Sequence, residues 1–92
     1  NIMIELIKVS KNSNVSAVAG SIANIMRNQT SLNVQTVGAG ALNQAVKAIA
    51  IARGYLTPSG IEIYMYPSFK EVSIEKTNKT AIRLTLEKKN TK

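Results

Sequence analysis

The sequence predicts an α+β domain with the element order β-α-β-α-β-β. Three observations predict it. Two stretches, about residues 15–28 and 39–53, repeat their apolar residues at helical spacing. Four others are rich in β-branched residues or alternate every second residue. Turn chemistry separates them: Ser10-Lys11-Asn12-Ser13-Asn14, the glycines Gly38 and Gly40, and Thr57-Pro58-Ser59-Gly60.

Residues 2–9 read as a first strand of Ile, Leu and Val. The polar patch ends it, and Ser13 or Asn14 can cap a helix by accepting a free amide proton of its first turn. Val15, Val18, Ala19, Ile22, Ile25 and Met26 then form one apolar stripe, which should end near Asn28. Leu32 to Val37 is short and β-branched, a second strand. The second helix is expected from Ala39 or Gly40 to Arg53. Its core stripe is Leu42, Ala45, Val46, Ile49 and Ala52 or Arg53, and Gly54 is its expected stop. After the turn at 57–60, Ile61, Ile63 and Met65 alternate with Glu62, Tyr64 and Tyr66, a strand whose Ile61, Ile63 and Met65 face is expected to be buried. Ile82, Leu84 and Leu86 alternate with Arg83, Thr85 and Glu87 in the last strand. Val72 and Ile74 keep the strand period between them, and Lys76-Thr77-Asn78-Lys79 reads as a hairpin tip. Residues 88–92 read as a frayed tail of a single domain spanning 1–92.

Ninety-two residues support one small core, which buries only about 60–70% of the surface that the unfolded chain exposes. The chain has no Cys, His or Asp, so a thiolate metal site and a His-based catalytic triad are excluded. The glutamates Glu5, Glu62, Glu71, Glu75 and Glu87 show no paired catalytic spacing and read as solvated strand positions. No enzyme, cofactor, metal or small-molecule substrate is expected. No apolar run approaches the ~20 residues of a membrane span, so no membrane insertion is expected. The first ten residues alternate and lack a cleavage site, unlike a secretory signal, and a cytoplasmic protein is expected. Asn1 is not an initiator residue, so the chain is expected to be trimmed or to carry residues added ahead of Met3.

Twelve Lys and Arg face five Glu, a net charge of +7 that favours a polyanion. The charge is clustered. Residues 70–92 hold seven of the twelve: Lys70, Lys76, Lys79, Arg83, Lys88, Lys89 and Lys92. A basic hairpin suits a nucleic-acid groove, because each Lys–phosphate contact releases a condensed counterion without any sequence code. Lysines on hairpins also discourage edge-to-edge aggregation. Gly38-Ala39-Gly40 lies between a strand and a helix, where amides can hold a phosphate. The full GxGxxG spacing fails at Asn43, and the hydrolytic phosphate-loop motif is absent. A tight turn with close packing is the competing reading of these glycines. Tyr64 and Tyr66 share a strand face, which suits either base stacking or structural packing.

The second helix is unusual. Ala41, Ala45, Ala48 and Ala52 form a thin stripe beside Leu42, Val46 and Ile49. Ala48 and Ile51 extend the apolar surface past one core-facing stripe, which in so small a domain suggests a partner. A homodimer is expected, with Ala48, Ile51 and Tyr55 at its interface, and a higher assembly is compatible with the same surface.

The stretch GAGALNQAVKAIAIARG, with TPSG after it and IKVS near the start, closely resembles the stage V sporulation protein S family. The resemblance runs from about Ile4 to Leu86. That family in turn resembles the Alba chromatin proteins, which dimerise and bind DNA or RNA. The resemblance implies a two-layer domain with a four-stranded mixed sheet and two helices on one face. It also implies a dimeric nucleic-acid-binding regulator linked to sporulation and septation. Alba's basic loop after the first strand is matched here by Lys11 alone. Its Arg-Gly-Arg-like stretch entering the second helix is matched by Gly38, Ala39 and Gly40, and a lysine in that helix's first turn by Gln44. The central site is thus weakened, and weight shifts to hairpin arms carrying Lys70, Lys76, Lys79 and Arg83. Asn43 and Lys47 at the start of the second helix are the remaining candidates for phosphate or base edges. Two functions compete: a DNA- or RNA-binding dimer, and a protein–protein adaptor in sporulation that keeps the fold with little nucleic-acid binding. The first needs the basic hairpin and the second tolerates its neutralisation.

Overall fold

The computed structural model describes residues 4–89. Its elements are β1 (Glu5–Val9), α1 (Val15–Asn28), β2 (Ser31–Thr36), α2 (Ala39–Leu56), a 3-10 turn (Thr57–Ser59), β3 (Ile63–Ile74) and β4 (Thr77–Lys88). The order is therefore β-α-β-α-β-β, as the sequence predicts. The strands form one mixed sheet in the order β1-β2-β4-β3. β1 and β2 run parallel, joined across α1, while β4 pairs antiparallel with both β2 and β3. The expected first strand begins at residue 2; residues 2 and 3 lie outside the described residues, as do 90–92 of the expected tail, whereas Lys88 ends β4 and Lys89 donates its amide to the Glu62 carbonyl at 2.7 Å, so neither is frayed.

α1 starts where Asn14 accepts a hydrogen bond from the Ala17 amide at 2.9 Å, so Asn14 is the cap. Ser13 instead holds the preceding loop, accepting from the Ser10 amide. Ala19, Ile22, Ala23 and Met26 are buried, while Val15, Val18 and Ile25 pack partly against the same core. The helix ends at Asn28, as expected. Leu32 and Val34 of β2 and Leu84 and Leu86 of β4 form the centre of the sheet's inner face.

α2 differs from its expected form in two ways. Its buried face is Ala41, Ala45, Ala48, Ile49, Ala52 and Leu56, whereas Leu42 is only partly buried and Val46 is 40% exposed. Two adjacent stripes of this helix are apolar, and periodicity alone does not choose between them. α1 and α2 pack on each other, and a close approach selects the smaller side chains. The alanine stripe is thus core, and Ala48, with no exposed surface, offers none to a partner. Second, α2 runs through Gly54 to Leu56. Leu56 is fully buried, and that burial outweighs the roughly 1 kcal/mol that glycine costs within a helix. The chain turns instead at Gly60, whose φ of 75° is left-handed.

β3 is an edge strand, which explains how it accommodates Pro67 without losing a ladder bond in the sheet interior. Met65, expected to be buried, is 37% exposed. The helices lie over the β1–β2 half of the inner face, with α2 meeting β1 and β2. Ile63 enters the core, and past it the inner side of β3 is left without a roof. The hairpin turn also differs. It is the two residues Glu75 and Lys76, with φ of 51° and 65°, so Thr77, Asn78 and Lys79 already belong to β4. β2 pairs with β4 no further than Thr36–Ile82, so residues 70–81 extend past it as a two-stranded arm.

Candidate nucleic-acid interface

The C-terminal ends of the parallel strands β1 and β2 carry the loops that enter α1 and α2. Gly38 caps α2 with φ at 92° and no side-chain cap, so the first amides of that helix remain free of a side-chain acceptor. A methyl group built on Gly40 would lie 2.9 Å from the Cβ of Lys11. The glycine lets the β1–α1 loop cross the first turn of α2, so it serves close packing. Gln44 of α2 donates its amide to the Ser13 carbonyl at 3.2 Å and ties the β1–α1 loop to the helix. Between these loops and the arm lies an open cleft of about 720 Å³. Lys8, Lys11 and Gln35 line it, with Gly38 to Ala41 on one side and Val72 to Ile74 on the other.

The predicted site residues distribute unevenly around this cleft. Lys11 is exposed on its rim. Lys70, Lys76 and Lys79 are exposed on the arm, Lys76 in the turn itself. Lys70 pairs with Ala81 and Lys79 with Val72, so strand alternation puts both lysines on one face of the arm. Asn43 and Lys47 are exposed one turn apart on α2, outside the cleft lining. Arg83, expected on the arm, lies in the body of the sheet, opposite Gln35. Its Nη2 donates to Gln35 Oε1 at 2.7 Å, and its Nε is buried with no partner. Lys8, which sequence reasoning missed, joins the cleft; its outward phase with Leu6 in β1 was the available signal.

The acids are less free than expected. Glu62 pairs with Arg53, the one ion pair among the described residues. Glu71 accepts from the Thr80 hydroxyl at 2.9 Å. Glu87 accepts from the hydroxyls of Tyr64 and Tyr66, at 3.0 and 3.4 Å. The hydrogen bond to Glu87, together with its negative charge, raises the Tyr64 pKa above its ordinary value. The lysines of the cleft and arm therefore face outward without a carboxylate partner among the described residues.

The three residues expected at a dimer interface separate as well. Ala48 is core, Ile51 is partly buried against the core, and Tyr55 is 46% exposed. The larger uncovered apolar surface is elsewhere: Phe69, 80% exposed, shares a groove with Leu42 and Ile82. No helix among the described residues is long and apolar enough to cross a membrane.

Residues 5–89 match the family described as Stage V sporulation protein S. Among solved structures, Alba from Thermoplasma volcanium superposes with a TM-score of 0.61 over 89% of this chain and 98% of that one, at 16% identity. At that identity the likeness is one of fold: the layering and strand order are those of Alba.

Proposed function

This chain belongs to the stage V sporulation protein S family, and from that premise we propose that it is a non-catalytic, dimeric nucleic-acid-binding regulator linked to sporulation and septation. The observation that carries this reading is the basic arm. Lys70, Lys76 and Lys79 extend past the last pair of β2 with no acid partner among the described residues, beside a cleft that adds Lys8 and Lys11. A backbone crossing the cleft meets Lys8 and Lys11 in its lining and, beyond Val72 to Ile74, the lysines of the arm. The contacts are with phosphate, so binding depends weakly on sequence and strongly on salt. In the dimer the two arms flank a common surface, and a duplex or folded RNA lies across it.

The test is a salt series with short duplex DNA and with RNA. Replacing Lys76 and Lys79 by Ala should weaken binding equally for unrelated sequences. The log–log salt slope should fall in magnitude by about 0.9 for each duplex phosphate that the variant no longer neutralises. A double variant with wild-type affinity and slope would remove the arm from nucleic-acid binding, and the adaptor reading would take its place.

A further inference from the structure

The face of the sheet opposite the helices is open, and strand alternation with the observed register defines what stands on it. Tyr64 and Tyr66 of β3 lie on this face beside Glu87 and Thr85 of β4. Further along come Arg83, paired with Gln35, and then Lys70; Lys8 stands across from Gln35 on β1. The two tyrosines are 49% and 46% exposed, high values for rings set within a sheet. They are nevertheless held in place, because both hydroxyls donate to the same carboxylate. Among the described strand residues, Glu87 is the only acid whose register puts it on this face, against Lys8 and Arg83 in the sheet body and Lys70 and Lys79 on the arm.

We propose that this open face is a second nucleic-acid surface, which takes a single strand by stacking bases on Tyr64 and Tyr66 and holding its phosphates with Arg83, Lys8 and Lys70. The proposal rests on the nucleic-acid reading above but centres on Tyr64, Tyr66 and Arg83, sharing only Lys8 and Lys70 with the first surface, and names a different form of the ligand. A duplex keeps its bases stacked on one another and presents no base face to a ring, whereas a single strand does. Rings already pinned by Glu87 lose little freedom when a base covers them. The neighbouring Asn33–Thr85 pair, hydroxyl to amide oxygen at 2.9 Å, adds polar groups at base-edge height. Tyr66 to Lys70 spans about 13 Å along the strand, at roughly 3.3 Å per residue, so stacked bases and their flanking phosphates fit on one track. The charge of the face matches this occupant and opposes a second copy of the same basic surface.

The probe is a single strand of about twelve thymidines, within the usual site size of a stacking groove, compared with a short duplex. In a Tyr55→Phe background, tyrosine emission then reports only Tyr64 and Tyr66, and it should be quenched by the single strand. Tyr64→Leu with Tyr66→Leu should lower single-strand affinity by about tenfold per ring while duplex affinity stays unchanged. The corresponding Phe variants, which keep the rings, should retain most single-strand binding. Three results would overturn the proposal: no quenching, single-strand affinity indifferent to the Leu variant, or a change in oligomeric state with no change in binding. If duplex binding persists and depends on Lys76 and Lys79, only the open-face proposal falls. If neither nucleic acid binds, both readings fall together.

Discussion

A methyl group added at Gly40 meets the Cβ of Lys11 at 2.9 Å, whereas one added at Gly54 meets nothing within 4 Å. Both glycines lie in α2, so helix propensity alone rewards alanine at either place. Packing separates them. The Cβ of Lys11 belongs to the stem of the side chain, and moving it moves the β1–α1 loop. Gly40→Ala should therefore lower stability, by about 1 kcal/mol after the propensity gain is offset against overpacking. Gly54→Ala should raise stability by about 0.5–1 kcal/mol. Urea midpoints of the two variants at unchanged m-value measure both. A Gly40→Ala variant as stable as Gly54→Ala would show that the loop yields freely. The same close approach explains why the Gly38-Ala39-Gly40 segment resembles a phosphate loop in sequence while serving the junction of two loops.

At the scale of elements, the hairpin turn is the least well matched to its sequence. Glu75 and Lys76 both adopt positive φ, the geometry of a type I′ turn, which favours Asn-Gly. Ordinary side chains there cost roughly 1 kcal/mol or more per residue. Glu75→Asn combined with Lys76→Gly should stabilise the arm by about 1 kcal/mol. The measurement is amide hydrogen exchange across the Val72–Lys79 and Ile74–Thr77 pairs, expected to slow about fivefold. Exchange no slower than in the wild type would mean that the turn does not limit opening of the arm. Because the arm has no third strand, its order depends on this turn and on cross-strand pairs such as Glu71–Thr80.

On the scale of the whole molecule, the helices roof β1, β2 and Leu84 and Leu86 of β4 but leave the inner side of β3 past Ile63 uncovered. Phe69 and Met65 are exposed there, and Val46 is exposed on the adjoining helix. Exposed apolar surface of this kind is what association covers, so a dimer contact is expected at Val46 and Phe69 rather than at the buried Ala48. Val46→Glu with Phe69→Glu should give a monomeric mass by light scattering at tens of micromolar, roughly the range in which a ~1 μM dimer is full. The stability of the isolated fold should change by only about 0.5 kcal/mol, as for other surface substitutions. A wild-type protein that is itself monomeric under those conditions would refute the dimer.

Sequence by itself determined the element order, the Asn28 end of α1, the inward phase of Leu84 and Leu86, and the basic character of the arm. Each follows from local periodicity, chain chemistry or charge, which are written residue by residue. It also carried the family, through the long motif that opens α2. The tertiary structure decided which of two apolar stripes of α2 faces inward, because that choice depends on how closely α1 approaches. It decided that α2 passes Gly54, because Leu56 has a core to enter. It placed Arg83 in the sheet rather than on the arm, since the point where β2 stops pairing is set by strand register and not by composition. The open face of Tyr64, Tyr66 and Arg83 is likewise a product of register: strands far apart in sequence bring those side chains and their partners to one surface.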